Sequence, residues 1–140
     1  MSKKYKEPHL IKFPRMGESA IGFISVIEQN KHLPFPVERV YWTYYTPESI
    51  VRGRHAHHVT EQVLVAVSGR IILTTEDTAG IIQTFVLDNP DSGVYIPPYV
   101  WHTMQYSHSS VQMVFASHVY EESDYIREYS DFKNHGLNKS

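Results

Sequence analysis

Two histidines placed one residue apart, His55 and His57, are the side chains of this sequence whose type and spacing best suit chemistry. Side chains alternate between the two faces of an extended strand, so residues i and i+2 point the same way. A helix would set the pair about 200° apart, and the flanking β-branched residues disfavour a helix. We therefore expect both imidazoles to face one cavity, where they can gain and lose protons near neutral pH.

A third histidine ends another extended segment. Residues 93–102 contain two consecutive prolines, an aromatic residue and then His102. Proline stiffens the backbone, which gives a rigid rim able to fix a side chain over a pocket. Three histidines together with Gln62 could hold a divalent ion, but an amide is a weaker ligand than a carboxylate. We predict a site without metal and keep metal binding as the main rival hypothesis.

The elements that position these histidines are predicted to be short strands. Their predicted ranges are 10–13, 21–28, 37–45, the histidine segment running into 63–67, 70–75, 81–87, 94–97, 101–105 and 111–117. Segments 70–75 and 81–87 should pair as a hairpin. Even spacing of short strands is typical of a sandwich or barrel, and it is not the pattern of alternating β and α units.

Helical spacing appears at the C-terminal end. Tyr125, Ile126, Tyr129 and Phe132 recur with that period after Ser123, which is a suitable N-cap. This pattern predicts one short helix that begins near Ser123 and packs on the sheet. We assign its aromatic residues to packing.

Composition limits the classes of function. A chain of 140 residues with 41% hydrophobic content suits one domain spanning 1–140, with 1–20 as a weakly patterned arm. The net charge of −2 disfavours a nucleic-acid surface. The chain has no cysteine, no apolar run of membrane-spanning length and no signal-like N-terminus, so we expect no membrane contact and a cytoplasmic location. Ten tyrosines and nine histidines suit a sugar-binding or proton-transferring pocket.

A series of glycines, histidines and a proline resembles the two-part motif of the cupins, with Gln62 where metal-binding cupins usually carry glutamate: Gly53, His55, His57, Gln62 and Gly69, then Gly93, Pro97 and His102. This resemblance implies an all-β, double-stranded β-helix or jelly roll, with a short C-terminal helix in this chain and histidines at the barrel mouth.

Longer segments make a closer match. The stretches Arg39-Val40-Tyr41, Arg52-Gly53-x-His55-Ala56-His57, Glu61-Gln62-Val63-Leu64, Val100-Trp101-His102-x-Met104 and the run from Tyr120 to Phe132 resemble the dTDP-4-oxo-6-deoxy-glucose 3,4-oxoisomerases, which are small metal-independent cupins. The resemblance implies an enzyme without cofactor that moves the keto group of dTDP-4-oxo-6-deoxy-glucose from carbon 4 to carbon 3 through an enediol. It also implies a place in the biosynthesis of 3-amino-3,6-dideoxy sugars of surface polysaccharides.

The resemblance suggests a role for each candidate. His55 and His57 would transfer protons at the two adjacent carbons, and Tyr41 would hydrogen-bond or protonate the enediolate oxygen. Arg52 would hold the diphosphate, because a guanidinium matches phosphate oxygens. Gln62 and His102 would face the sugar. A homodimer that exchanges N-terminal strands is also implied.

Other interpretations stay open on the sequence. A dTDP-sugar 3,5-epimerase has the same fold, although its usual histidine, acid and tyrosine set is not specified here. A non-catalytic sugar-binding cupin or a metal-dependent dioxygenase or isomerase could also use this pocket. Taken singly, Tyr41 could be a cross-strand packing residue and Arg52 a surface charge.

Overall fold

A computed structural model describes residues 5–137. This part of the chain is almost entirely strand and turn, with a short 3₁₀ helix at Glu122–Asp124 and one α-helix at its end. In chain order the elements are β1 (His9–Lys12), β2 (Arg15–Glu18), β3 (Gly22–Ser25), β4 (Arg39–Tyr44), β5 (Val51–His57), β6 (Gln62–Ser68), β7 (Ile71–Asp77), β8 (Ile82–Leu87), β9 (Ser92–Ile96), β10 (Val100–Tyr106), β11 (Val111–Ala116), β12 (Tyr125–Ile126) and α1 (Tyr129–Leu137).

Two five-stranded antiparallel sheets form the body of the fold. The first has the strand order β1-β9-β6-β11-β4 and the second β12-β5-β10-β7-β8. Apart from the β7–β8 hairpin, neighbouring strands in the two sheets are not consecutive in the chain, which is the crossing pattern of a jelly roll. The predicted all-β jelly roll is therefore confirmed, as is the β7–β8 hairpin, and β1 lies at the edge of the first sheet.

The inner faces of the sheets enclose the main core. Leu64 and Ala66 on β6 and Ile71 and Leu73 on β7 are all buried there. The outward side chains Val63 and Val65 of β6 are buried as well, in a second cluster under the N-terminal arm and the loop before β4. Strand β6 is thus covered on both faces, which explains why its sequence is continuously apolar.

The C-terminal segment differs from the prediction. Tyr125 and Ile126 are not helical: they pair as β12 with His57 and Ala56 of β5, and Ser123 lies inside the 3₁₀ turn, where it caps no α-helix. Backbone pairing with an open sheet edge and the burial of Ile126 outweigh the local helical spacing. The helix α1 begins at Tyr129 instead, and its anchor Phe132 is fully buried, which stabilises the docked helix by roughly 1.5–3 kcal/mol.

The start of the chain has more strands than the sequence predicts. The expected strand at 21–28 is shortened to β3, which pairs with β2 in a hairpin of its own. β2 contains Gly17 and two charged residues, so it has no strand signature. All eight residues of the hairpin are exposed. In residues 5–137, no helix has the length and apolar character needed to cross a membrane.

Candidate active site

Three histidines form the centre of the cavity between the sheets. His55 and His57 share the inner face of β5, as their spacing predicts, and β10 brings His102 directly opposite His55 in register. The ring centroid of His55 lies 4.7 Å from that of His102 and 5.2 Å from that of His57. One nitrogen from each imidazole lies within 4.8 Å of the others. The sequence prediction of a shared face is correct, and the third histidine completes the cluster.

Hydrogen bonds determine which ring nitrogen of two histidines carries the proton. Nδ1 of His55 lies 3.1 Å from the carbonyl oxygen of Gly53, and Nδ1 of His102 lies 3.1 Å from that of Val100. A carbonyl oxygen can only accept, so both Nδ1 atoms must donate. Each Nε2 then keeps a lone pair that can take a proton. In His57, Nε2 is buried and has no hydrogen-bond partner in the described chain.

Burial keeps the three imidazoles neutral. It lowers the pKa of His55 to about 2, with further lowering by His102 and His57. Burial followed by the charge of His102 lowers the pKa of His57 to about 2, and burial lowers that of His102 to about 4. The cationic form loses its hydration in the cavity and meets like charge there. At physiological pH the cluster therefore consists of neutral bases.

A tyrosine and a glutamine of the first sheet face the histidines. Arg39, Tyr41 and Thr43 form the inner row of β4, while Gln62 lies on the inner face of β6. Nε2 of Gln62 donates to the Tyr41 hydroxyl oxygen over 2.8 Å. Burial raises the pKa of Tyr41 to about 12, so this phenol retains its proton and can donate it to a substrate oxygen.

A β-bulge determines where Arg52 points. Strict alternation from His55 would place Arg52 on the opposite face of β5, but the register shifts so that Arg52 pairs with Met104 and His55 with His102. Met104 and His102 share the inner face, so Arg52 joins that side. Gly53, with φ of +89°, forms the bulge, and a Cβ there would lie 2.8 Å from the His102 carbonyl oxygen. Arg52 remains exposed, with its charge close to Tyr106.

The structure adds residues that the sequence analysis did not assign to the site. Tyr125 lies 5.2 Å from His55 and 4.5 Å from His57 between ring centroids. Arg39 lies beside Tyr41 on β4, and Arg127 stacks over Tyr125 while binding Glu122. Arg39 could have been found, because it is two residues from Tyr41 on the same strand. The helical spacing of Tyr125 predicts a packing role instead, so the sequence pattern does not reveal its place beside the histidines.

The donor set bears on metal binding. Three imidazole nitrogens converge, and they suit a divalent transition ion. Within the described residues no carboxylate joins this cluster, because Gln62 occupies the position of the usual cupin glutamate and its Nε2 is directed at Tyr41. A neutral set of this kind offers a dication no charge compensation, and the metal-free site stays a prediction.

Comparison with known proteins shows the family of this chain. The profile described as "FdtA: WxcM-like, C-terminal" matches residues 6–136. The chain belongs to this family. It is 44% identical over 132 residues to the TDP-4-oxo-6-deoxy-α-D-glucose-3,4-oxoisomerase of Aneurinibacillus thermoaerophilus, with 92% of each chain covered.

Solved structures agree with the family assignment. A variant of the 3,4-ketoisomerase QdtA from Thermoanaerobacterium thermosaccharolyticum, in complex with TDP-4-keto-6-deoxyglucose, superposes with a TM-score of 0.90 at 29% identity, covering 97% of this chain and 98% of that one. The RmlC epimerase of Mycobacterium tuberculosis has a TM-score of 0.71 at 16% identity, covering 89% and 70%. The second likeness shows only that the fold is shared with epimerases.

Proposed function

We propose that this protein is a nucleotide-sugar 3,4-ketoisomerase that converts a dTDP-4-oxo-6-deoxy-hexose into its 3-oxo isomer. The observation that carries the proposal is the cluster of neutral histidines opposite a protonated tyrosine. Keto migration is an internal redox exchange between adjacent carbons, so it needs proton transfers and no external oxidant. The relative from Aneurinibacillus thermoaerophilus is named a 3,4-oxoisomerase of this kind, and the QdtA variant binds TDP-4-keto-6-deoxyglucose.

The proton steps can be assigned to the candidate residues. A neutral imidazole of the His55–His57 pair takes the proton from carbon 3, and the carbonyl electrons move onto the oxygen of carbon 4. Tyr41 donates to that oxygen and recovers the proton of the carbon 3 hydroxyl. A histidine then delivers a proton to carbon 4, which leaves the ketone on carbon 3. The imidazolium exchanges its proton with solvent before delivery, and each proton that the enzyme takes up is matched by one that it gives, so the enzyme ends in its starting state.

Substrate charge supports this use of the histidines. The low pKa values of His55 and His57 ensure the basic form in the free enzyme. A bound diphosphate and a developing enediolate are anionic, and nearby negative charge favours imidazolium. Binding therefore raises the basicity of the histidines at the step where they must accept a proton. Arg52 is proposed to hold the diphosphate, with Gln62 and His102 facing the sugar.

Proton NMR of dTDP-4-oxo-6-deoxy-glucose with metal-stripped enzyme tests the function. Appearance of a 3-oxo sugar, with ring couplings that give the configuration at carbon 4, is the expected result. Inversion at carbons 3 and 5 with the ketone still on carbon 4 would identify an epimerase. Binding of the nucleotide sugar without any conversion would identify a non-catalytic module. Conversion that requires added metal would contradict the metal-free mechanism.

We further propose a homodimer formed through the N-terminal arm and the outer face of the first sheet. Val40, Trp42 and Tyr44 form an apolar outer row on β4, with Trp42 57% exposed. An isolated two-stranded hairpin is marginally stable, and β2–β3 exposes Phe23 and Ile24. Within the single chain β1 pairs with β9 and β2 with β3; in the dimer we propose that the N-terminal strands are exchanged between the two subunits. Light scattering that shows a monomer would contradict this assembly.

Cellular context follows from the proposed substrate. We propose one domain over 1–140 acting in the cytoplasm, in biosynthesis of 3-amino-3,6-dideoxy sugars of surface polysaccharides such as O-antigens. A nucleic-acid partner is not expected from the net charge of −2.

A further inference from the structure

Arg39 brings an uncompensated positive charge to the cavity wall. Its Nε is buried and has no hydrogen-bond partner, and no ion pair between Arg39 and a carboxylate occurs in residues 5–137. Arg39 is half-buried, and even partial burial of a cation without a counter-charge carries a desolvation cost. Packing alone would be served better by an apolar side chain of similar size. The placement indicates that an anion approaches this guanidinium during the protein's work.

Two phenols of the cavity lie beside Arg39. Nη1 of Arg39 donates to the hydroxyl oxygen of Tyr125 over 3.4 Å, and the guanidinium carbon lies 5.2 Å from the Tyr41 ring centroid. Because the Tyr125 oxygen accepts from Arg39, its own proton is free to donate. No acceptor for that proton lies within hydrogen-bond distance among the described residues. Within the described part of the chain, the hydroxyl of Tyr125 is therefore a polarised donor with no acceptor.

Tyr125 is held in place by its backbone as well. β12 pairs Tyr125 with His57, and the Tyr125 ring is 4.5 Å from the His57 ring. The Arg127 guanidinium covers the Tyr125 ring at 4.3 Å. Tyr41 belongs to the first sheet and Tyr125 to the second, so the two phenols approach the histidines from different walls. Two separate donors can thus serve two separate oxygens.

We propose that Tyr125, polarised by Arg39, is a second oxyanion donor for the keto migration, and that Arg39 is its positioning residue and counter-charge. The inference rests on the proposed function. Negative charge forms first on the oxygen of carbon 4, when the carbon 3 proton leaves, and then on the oxygen of carbon 3, before carbon 4 is protonated. Tyr41 transfers the hydroxyl protons as described above, while Tyr125 donates a hydrogen bond to one of the two oxygens and keeps its own proton throughout.

The test compares Tyr125→Phe, Arg39→Met and Arg39→Lys with the wild type. Tyr129→Phe is the control, because Tyr129 is exposed and is hydrogen-bonded to Glu76 outside the cavity. Removal of one oxyanion donor should lower kcat by about 10²-fold, with KM within about threefold of wild type. Arg39→Lys retains the charge and should recover most of the kcat that Arg39→Met loses. Tyr129→Phe should behave as wild type.

A second readout separates catalysis from folding. The reaction is followed in deuterated water, and two rates are compared: hydrogen exchange in unreacted sugar and conversion of that sugar into its keto isomer. The ratio of the exchange rate to the conversion rate reports which oxygen has lost its donor. For Tyr125→Phe, this ratio should be higher than in wild type when the reaction starts with one of the two isomers, and lower when it starts with the other. Unchanged kcat, or a lower kcat with unchanged ratios from both isomers, would overturn the proposal. A wild-type protein that moves no ketone would overturn the proposed function and this proposal together, whereas active wild type with fully active Tyr125→Phe overturns this proposal alone.

Discussion

Acid should destabilise the protein through its three cavity histidines. In the folded state the pKa values of His55 and His57 are about 2 and that of His102 is about 4, against 6.5 as the ordinary value. The unfolded chain therefore binds more protons than the folded chain once the pH falls below about 6.5. The free energy of unfolding must decrease as the pH falls through this range, and the loss continues towards the folded-state pKa values.

The size of the effect follows from the linkage relation. Between pH 7 and pH 5, one histidine that stays neutral when folded and titrates normally when unfolded removes about 2 kcal/mol, so three remove about 6 kcal/mol. The whole free energy of unfolding of a small domain is about 5–15 kcal/mol. The loss is comparable to the whole stability of such a domain, so the transition midpoint in urea should fall steeply.

Urea denaturation at pH 7, 6 and 5 measures this loss, with tryptophan fluorescence as the signal and protein concentration held fixed. The perturbation is His102→Asn, whose amide can still donate to the Val100 carbonyl that His102 contacts. The loss between pH 7 and pH 5 should shrink by about 2 kcal/mol in this variant. His108→Gln, at an exposed position, is the matched control and should leave the loss unchanged. An equal loss in wild type and His102→Asn would show that His102 does not contribute to the acid instability.

Three other substitutions have separate expected outcomes. His57→Asn removes a proposed acid–base group, so kcat should fall by about 10³-fold while calorimetry shows unchanged dTDP affinity; weaker binding with normal kcat would contradict the role. Tyr41→Phe should lower kcat by about 10²-fold, since the donor opposite the histidines is lost; a normal kcat would return Tyr41 to a packing role. Arg52→Met should raise KM by about 10–100-fold with kcat nearly unchanged, because charged hydrogen bonds to the diphosphate are lost. Arg70→Met is its exposed control, and equal KM values in the two variants would count against Arg52.

The strands carried enough sequence information to be predicted. β-branched and aromatic runs bounded by proline and glycine predict β4 and β6 through β11 to within a few residues of their observed limits. The histidine segment is different: it is predicted to run on into 63–67, whereas β5 ends at His57 and β6 begins at Gln62 in the other sheet. The shared face of His55 and His57 follows from period-two alternation alone. These features depend on neighbouring residues only, and for them the local sequence pattern agrees with the packing in the folded chain.

Three features had no signal in the local sequence pattern. β12 forms because β5 offers an unpaired edge to Tyr125 and Ile126, which no local period reveals. The bulge that turns Arg52 inward requires two successive positive φ angles, +89° at Gly53 and +59° at Arg54, and arginine gives no such signal. The hairpin β2–β3 has no strand composition and pairs only with itself among the described strands.

The most direct test of the account is the position of deuterium in the product formed by metal-stripped enzyme in deuterated water. The proposed proton transfers predict a 3-oxo sugar that carries deuterium at carbon 4 and keeps its original hydrogen at carbon 5. Because the histidines act without an ion, chelator should leave the rate unchanged. A sugar that keeps its ketone on carbon 4 and gains deuterium at carbons 3 and 5 would contradict the central claim.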